Sequence, residues 1–214
     1  MKKYIKISFL ILISLNTYSE IWEIQPSDSS QDEIQEALIL AESGDTIFLK
    51  EGIYDLEHGL SLDVADVTIK GSGMDKTILN FSNQKTGAQG LIITSDNVVL
   101  KDFAVENAKG DAIKSKGVEN ISFLRIRTEW TNGPDSKNGA YGLYPVESIG
   151  VLIDECVAIG ASDAGVYVGQ SEQIIVRNTR AEFNVAGIEI ENSYDADVYN
   201  NIATNNTGGI LIFD

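Results

Sequence analysis

The chain has 214 residues, 43% of them hydrophobic, enough for one sizeable core. Its formal net charge of −16 excludes a general affinity for nucleic acid, and a polyanionic sugar would be held only where basic residues gather locally. Cys156 is the only cysteine, so no internal disulfide forms.

Residues 1–19 read as a secretory signal. Lys2, Lys3 and Lys6 supply a positive start, Ile7 to Leu15 a short apolar run, and Thr17 and Ser19 the small residues before a cut. The run is too short for a comfortable membrane span, and nothing later is long enough, so no stable span is expected after cleavage. Residues 20–45 read as an N-terminal strand and a cap. Ile21 to Ile24 is extended and ended by Pro26. Ser27, Asp28, Ser29 and Ser30 suit a helix N-cap, and Ile34, Ala37, Leu38 and Ala41 come next at helical spacing. The pattern predicts an amphipathic helix over 31–42, ended by Gly44 and laid across the open end of the first coil.

Strands are expected at Thr46–Leu49, Leu60–Leu62, Val67–Ile69 and Ile78–Phe81, separated by Gly-rich or Asp-rich turns. Beyond them the chain repeats. Gly165-Val166-Tyr167-Val168, Gly187-Ile188-Glu189-Ile190 and Gly209-Ile210-Leu211-Ile212 read alike, and Gly142-Leu143-Tyr144-Pro145 is an altered copy. One apolar row runs Leu91, Ile113, Leu143, Val166, Ile188, Ile210, at intervals of 22, 30, 23, 22 and 22. A second runs Val98, Ile121, Val151, Ile174, at 23, 30 and 23. Both rows stretch at the same coil, which places an insertion of about seven residues in Thr128–Tyr141.

A fixed period of this length marks a solenoid whose units share one core. The returns run through Asn, Gly and Ala rather than a helix. The fold class is therefore all-β: a single-stranded parallel β-helix over 46–214 with 22–23-residue coils, right-handed because parallel crossovers overwhelmingly are, behind an N-terminal capping α-helix. Cys156 falls in an inward row with Phe103 and Ile126. Asn178 with Asn200 or Asn201 would form a buried amide ladder. The chain stops at Phe213-Asp214 directly after a strand, which suggests that the solenoid continues beyond it.

This pattern is similar to bacterial right-handed β-helix proteins of the pectin-lyase-like superfamily. Ile34-Gln35-Glu36-Ala37 and the run Gly44 to Tyr54 resemble the N-terminal start of such proteins. The superfamily carries lyases, epimerases, hydrolases and proteins without catalysis, so the resemblance implies a fold rather than an activity. A sharper match lies in Tyr141-Gly142-Leu143-Tyr144-Pro145-Val146-Glu147. It resembles the Tyr-Gly-Phe-Asp-Pro-His-Glu motif of alginate (mannuronan) C5-epimerases at Tyr141, Gly142, Pro145 and Glu147. Tyr144 and Val146 replace the motif's Asp and His, so the family's acid–base groups do not carry over.

The outward row beside the core row reads Ile92, Lys114, Tyr144, Tyr167, Glu189, Leu211. Coils stack about 4.8 Å apart, so these side chains become vertical neighbours. The insertion brings Trp130, Asp135, Lys137, Asn138 and Tyr141 beside them, and Asp163 lies at the edge. Lyases and epimerases of uronates remove a proton next to a carboxylate. They need a cation for the carboxylate, a base for the proton, and an acid for the leaving oxygen or the opposite face. The candidate catalytic set is Lys114, Tyr141, Tyr144, Asp163 and Tyr167: Lys114 would neutralise, and Tyr144 or Tyr141 would act as acid or base if a cation lowered its pKa. Glu189 or Asp163 would orient them. Trp130, Asp135, Lys137, Asn138 and Glu189 are the candidate substrate-binding residues.

Glu189 with Asp163 would instead serve a hydrolase, if set across a cleft. The same tyrosines also suit sugar stacking without chemistry, or plain cross-strand packing. No metal site is expected: the many Asp residues admit Ca²⁺, but no repeated Asp-Gly loop supports it. His58 reads as a surface residue, and Arg127 and Arg180 as a solvated face. The expectation is a secreted or periplasmic protein whose partner is a polysaccharide, possibly acidic, with two functions left open: lyase or epimerase-like chemistry, or non-catalytic binding or envelope structure.

Overall fold

Residues 19–214 are described in a computed structural model of the chain. The leader expected over residues 1–19 lies outside the described residues, Ser19 apart. Every strand pair is parallel, and the strands form two sheets, one of seven strands and one of thirteen. The smaller sheet stacks His58–Leu62, Thr86–Ile93, Asp111–Lys116, Tyr141–Val146, Ala164–Gly169, Ala186–Glu191 and Gly208–Phe213, one strand from each coil. The larger bends over two further faces: the strand Glu119–Glu129 pairs with Ile149–Asp154 at its start and with Val157–Ile159 at its end. The result is a three-faced parallel β-helix.

The coils bend where one residue enters the left-handed backbone region. At one corner Asn97, Asn120, Gly150, Gln173 and Asp195 lie in register, and at another Gly117, Glu147, Gln170 and Asn192, all with φ between 48 and 73°. A single residue of positive φ turns an extended strand without a hairpin. Asn and Gly tolerate it best, and they recur here.

Both apolar rows emerge as vertical stacks. Leu91 pairs with Ile113, then Leu143, Val166, Ile188 and Ile210 in turn, while Ile121 pairs with Val151 and Ile174. All but Ile210, which is exposed on the last coil, join one continuous core that runs from Ile24 to Ile190. Burial of each large aliphatic contributes about 1.5–3 kcal/mol. The row keeps its register across the long coil, because the extra residues lie wholly between Glu129 and Tyr141.

The helix spans Ser30–Leu40, and Ile34, Ala37, Leu38 and Ala41 enter the core against the first coil. It ends earlier than the glycine suggested. Ala41 already has ψ 144°, and Gly44, at φ 97°, makes the turn into Thr46–Leu49 instead. Among the described residues no helix is long and apolar enough to cross a membrane.

Two further expectations need correction. Asn178 and Asn200 occupy left-handed corners and face solvent, so neither builds an inward ladder. The buried amide ladder is Asn184 over Asn206: Asn184 Nδ2 donates to Asn206 Oδ1 at 3.1 Å, and Asn184 Oδ1 accepts from the Ala161 N–H at 2.8 Å. Asn201 accepts from the Thr179 N–H at 2.9 Å beneath Cys156, whose thiol is buried and pushed up to about 12 by desolvation. Arg127 is no solvated residue. Its side chain is 12% exposed and lies between Glu106 at 2.7 Å, Asp75 at 3.4 Å and Glu129. Arg180 lies two coils further in the same column and is more exposed.

Candidate functional site

Alternation along the strands of the smaller sheet sends two rows outward. Lys114 pairs with Tyr144, and Tyr167 with Glu189 and then Leu211, so the expected ladder is vertical. The neighbouring row holds Lys116, Val146, Gly169, Glu191 and Phe213. At the strand heads a third set of positions carries Tyr141, Ala164, Ala186 and Gly208.

The small residues of the third set explain the packing. Tyr141 leans into the space above Ala164 and Ala186, and its ring centroid lies 4.6 Å from that of Tyr144 and 4.7 Å from that of Tyr167. Tyr144 and Tyr167 meet edge to face at 5.1 Å. Tyr167 folds its ring over Gly169, where an added Cβ would come within 2.6 Å of ring carbon Cε1, and donates its hydroxyl to Glu191. It is only 7% exposed. Tyr167 therefore supports the other two rings and presents little of itself to a ligand.

Lys114 reaches the cluster from the coil below, with Nζ 4.3 Å from the centre of the Tyr144 ring. The cation sits on the ring face. The expected lowering of a phenol pKa does not occur. Burial raises Tyr141, and the neighbouring Asp163 carboxylate raises it further. Burial, Asp111 and Glu147 raise Tyr144; burial and Glu191 raise Tyr167. All three phenols therefore keep their protons at neutral pH and can donate but not accept one there.

The elevated carboxyls lie beside them. Burial raises Asp111 above its ordinary range, although Lys114, Gln89 and the Tyr141 backbone act to lower it. Burial raises Glu189 too, with Asp163 and Glu191 adding to it. Sequence reasoning missed Asp111 because it precedes its strand's repeat motif and aligns with Tyr141 only once the insertion is allowed for.

The insertion residues separate from this face. Trp130 is 5% exposed, sits in the main core, and donates from Nε1 to the Ala108 carbonyl at 2.7 Å; it cannot offer a free ring to a sugar on the tyrosine face. Asn138 straps the loop, donating from Nδ2 to the carbonyls of Gly133 at 2.9 Å and Gly160 at 2.6 Å. Asp135 caps the same loop by accepting from the Lys137 N–H at 2.9 Å. Lys114, Tyr141, Tyr144, Tyr167, Asp163 and Glu189 come together; Trp130, Asp135, Lys137 and Asn138 lie along the strand-head edge. His58 is exposed on the first strand of the smaller sheet, outside the tyrosine cluster, its Nδ1 2.7 Å from Thr86 Oγ1. No cluster of three His, Cys, Asp or Glu side chains fit to hold a metal ion occurs among the described residues.

Fold and face together define a β-helix that displays one packed lysine–tyrosine–carboxylate ladder on a rigid sheet. The chain belongs to the family described as right handed beta helix region, whose model matches residues 65–214. No curated protein matches it by sequence.

Solved structures match it in shape. An A-module of a mannuronan C-5 epimerase from Azotobacter vinelandii superposes with a TM-score of 0.69 at 20% identity, covering 86% of this chain and 56% of its own. A second such module from the same organism gives 0.63 at 18%, covering 88% and 59%. An alginate lyase from a Paenibacillus species gives 0.53 at 14%, covering 85% and 75%. At these identities the likeness is one of fold. The chain spans under three-fifths of the length of either epimerase module.

Proposed function

We propose that the chain acts on an acidic polysaccharide outside the cytoplasm, by proton abstraction at the carbon bearing a uronate carboxylate. One observation carries the reading: a cation, a protonated phenol and an elevated carboxyl share one patch at Lys114, Tyr144 and Asp111. Lys114 takes the substrate carboxylate and stabilises the enolate that forms when C5 loses its proton. Asp111 or Glu189 takes that proton, since a raised carboxyl is a better base near neutrality. Tyr144 or Tyr141 supplies the acid. If it protonates C5 from the opposite face, the product is the epimer; if it protonates the departing C4 oxygen, a C4–C5 double bond remains. Asp163 positions Tyr141. The family-type motif and the alginate-acting proteins of like fold support the substrate class, and the leader-like start supports secretion or the periplasm.

Binding without chemistry is the second reading. The observation in its favour is Tyr167, whose hydroxyl is given to Glu191 and whose ring packs on Tyr141 and Tyr144, which withdraws one candidate acid from chemistry and leaves the other two rings as a supported surface. Incubation with polymannuronate, alginate and pectate in heavy water separates the two. Deuterium entering C5, or new double-bond absorbance, lost in Lys114→Met and Tyr144→Phe, is expected. Retained binding with neither signal would leave only the second reading.

A further inference from the structure

The insertion and the turns before it enclose a groove of about 380 Å³ at the strand-head edge of the smaller sheet, lined by Phe81, Gln84, Asn107, Lys109, Trp130 and Lys137 among others. No acidic residue lines it, although the chain holds 32 Asp and Glu against 16 Lys and Arg. Each of the four other grooves described carries at least one carboxylate. Neither Lys109 nor Lys137 makes an ion pair among the described residues, where the paired lysines are Lys50, Lys85 and Lys116. Two exposed ammonium groups on one carboxylate-free wall make a local site of opposite sign to the molecule.

The walls are built rather than loose. Gln84 is nearly buried; it accepts from the Lys109 N–H at 2.8 Å and donates to the Gln89 carbonyl at 2.8 Å. Asn107 accepts from the Thr131 N–H at 2.9 Å and donates to Asn80 at 3.1 Å. Trp130 closes the floor through Ala108. The volume lies in the range of small-ligand sites, with polar amides on the rim and aromatic carbon beneath. The groove adjoins the tyrosine face: no side chain fits between Gly139 and the Gly110 carbonyl, so the two backbones touch, and Asp111 comes directly after Gly110 and Tyr141 two residues after Gly139.

We propose that this groove is a carboxylate-reading subsite: Lys109 and Lys137 receive the carboxylate of one uronate residue while the next residues of the same glycan lie over Tyr141, Tyr144 and Lys114. The inference rests on an acidic glycan as ligand but not on any chemistry at the tyrosine face. Charge-assisted contacts of this kind set orientation and register along a polymer.

The test is calorimetric binding of a tetramannuronate, and of the same tetramer with its carboxyls reduced to alcohols, to the full chain and to Lys109→Gln, Lys137→Gln and the double variant. Both lysines are exposed, so the variants keep the fold. The expected result is a loss of affinity of roughly tenfold per lysine and a shallower salt dependence, with the reduced tetramer bound weakly by all forms. Wild-type affinity in the double variant overturns the subsite, as does equal binding of the reduced tetramer or no binding of either. Lysine-dependent binding without C5 exchange supports the subsite and removes the proposed chemistry instead.

Discussion

Lys114 holds its ammonium group 4.3 Å from the centre of the Tyr144 ring, on the face of the ring. The lysine is thereby fixed in place without lowering the phenol's pKa. It makes no ion pair among the described residues, and Tyr144 keeps its proton at neutral pH.

That arrangement sets the behaviour at alkaline pH. Tyr141, Tyr144 and Tyr167 are raised above their ordinary pKa of 10.0, and Tyr54, buried and bonded to the Ile24 and Lys50 carbonyls, is pushed up to about 12. The folded chain thus holds protons that the unfolded chain gives up near pH 10, so the contribution of these groups to stability is complete below pH 10 and falls as pH rises beyond it. Phenolate absorbance titrated against pH should show these four groups ionising late, together with unfolding. Tyr54→Phe should reduce that late amplitude. Four phenols ionising at the ordinary pH in the folded state would contradict the packing described.

Gly169→Ala should be costly although its backbone is ordinary. The new methyl group would meet the Tyr167 ring at 2.6 Å and its hydroxyl at 2.8 Å, so the ring must leave Glu191. Overpacking of this kind costs about 1–3 kcal/mol. Urea unfolding should show that loss in Gly169→Ala, and less in Tyr167→Phe, which removes only the hydroxyl. Equal stability of Gly169→Ala and wild type would mean that Tyr167 does not lie over the glycine.

Asn184→Ala tests the amide ladder. Asn184 is 5% exposed and serves the Ala161 N–H, the Ala158 carbonyl and Asn206. Its loss leaves buried backbone groups unpaired, at about 1–3 kcal/mol each. Thermal unfolding should fall markedly, whereas Asn178→Ala, at an exposed corner, should lose far less.

Cys156 should be silent toward thiol reagents in the native state. Its thiol is buried, held near Ile126 and Phe123 backbone groups, and pushed up to about 12. Labelling by an aromatic disulfide should begin only where denaturant unfolds the chain. Prompt reaction under native conditions would show that the thiol is reachable.

Much of the fold is legible in the residues. The rows through Leu143 and Val151 stretch together, and that coincidence alone locates the insertion. The outward ladder from Lys114 to Glu189 comes from alternation. The signs of the pKa shifts are not legible: the fate of Tyr144 depends on whether Lys114 meets its hydroxyl or its ring, and on Asp111, which spacing does not mark. Trp130 misleads because an aromatic in a long loop resembles a ligand platform, yet its indole N–H finds a carbonyl inside. The amide ladder is misplaced because Asn serves both as an inward hydrogen-bonding rung and as a corner residue, and composition does not separate the two.

Past Trp130, whose ring stays in the core, the ten residues before Tyr141 leave and re-enter the wall without disturbing the pairing on either side. A solenoid of this kind can thus change what it grips at one corner while its interior remains unaware of the exchange. Selection acting on the rim of such a molecule need not wait for the core to be rewritten.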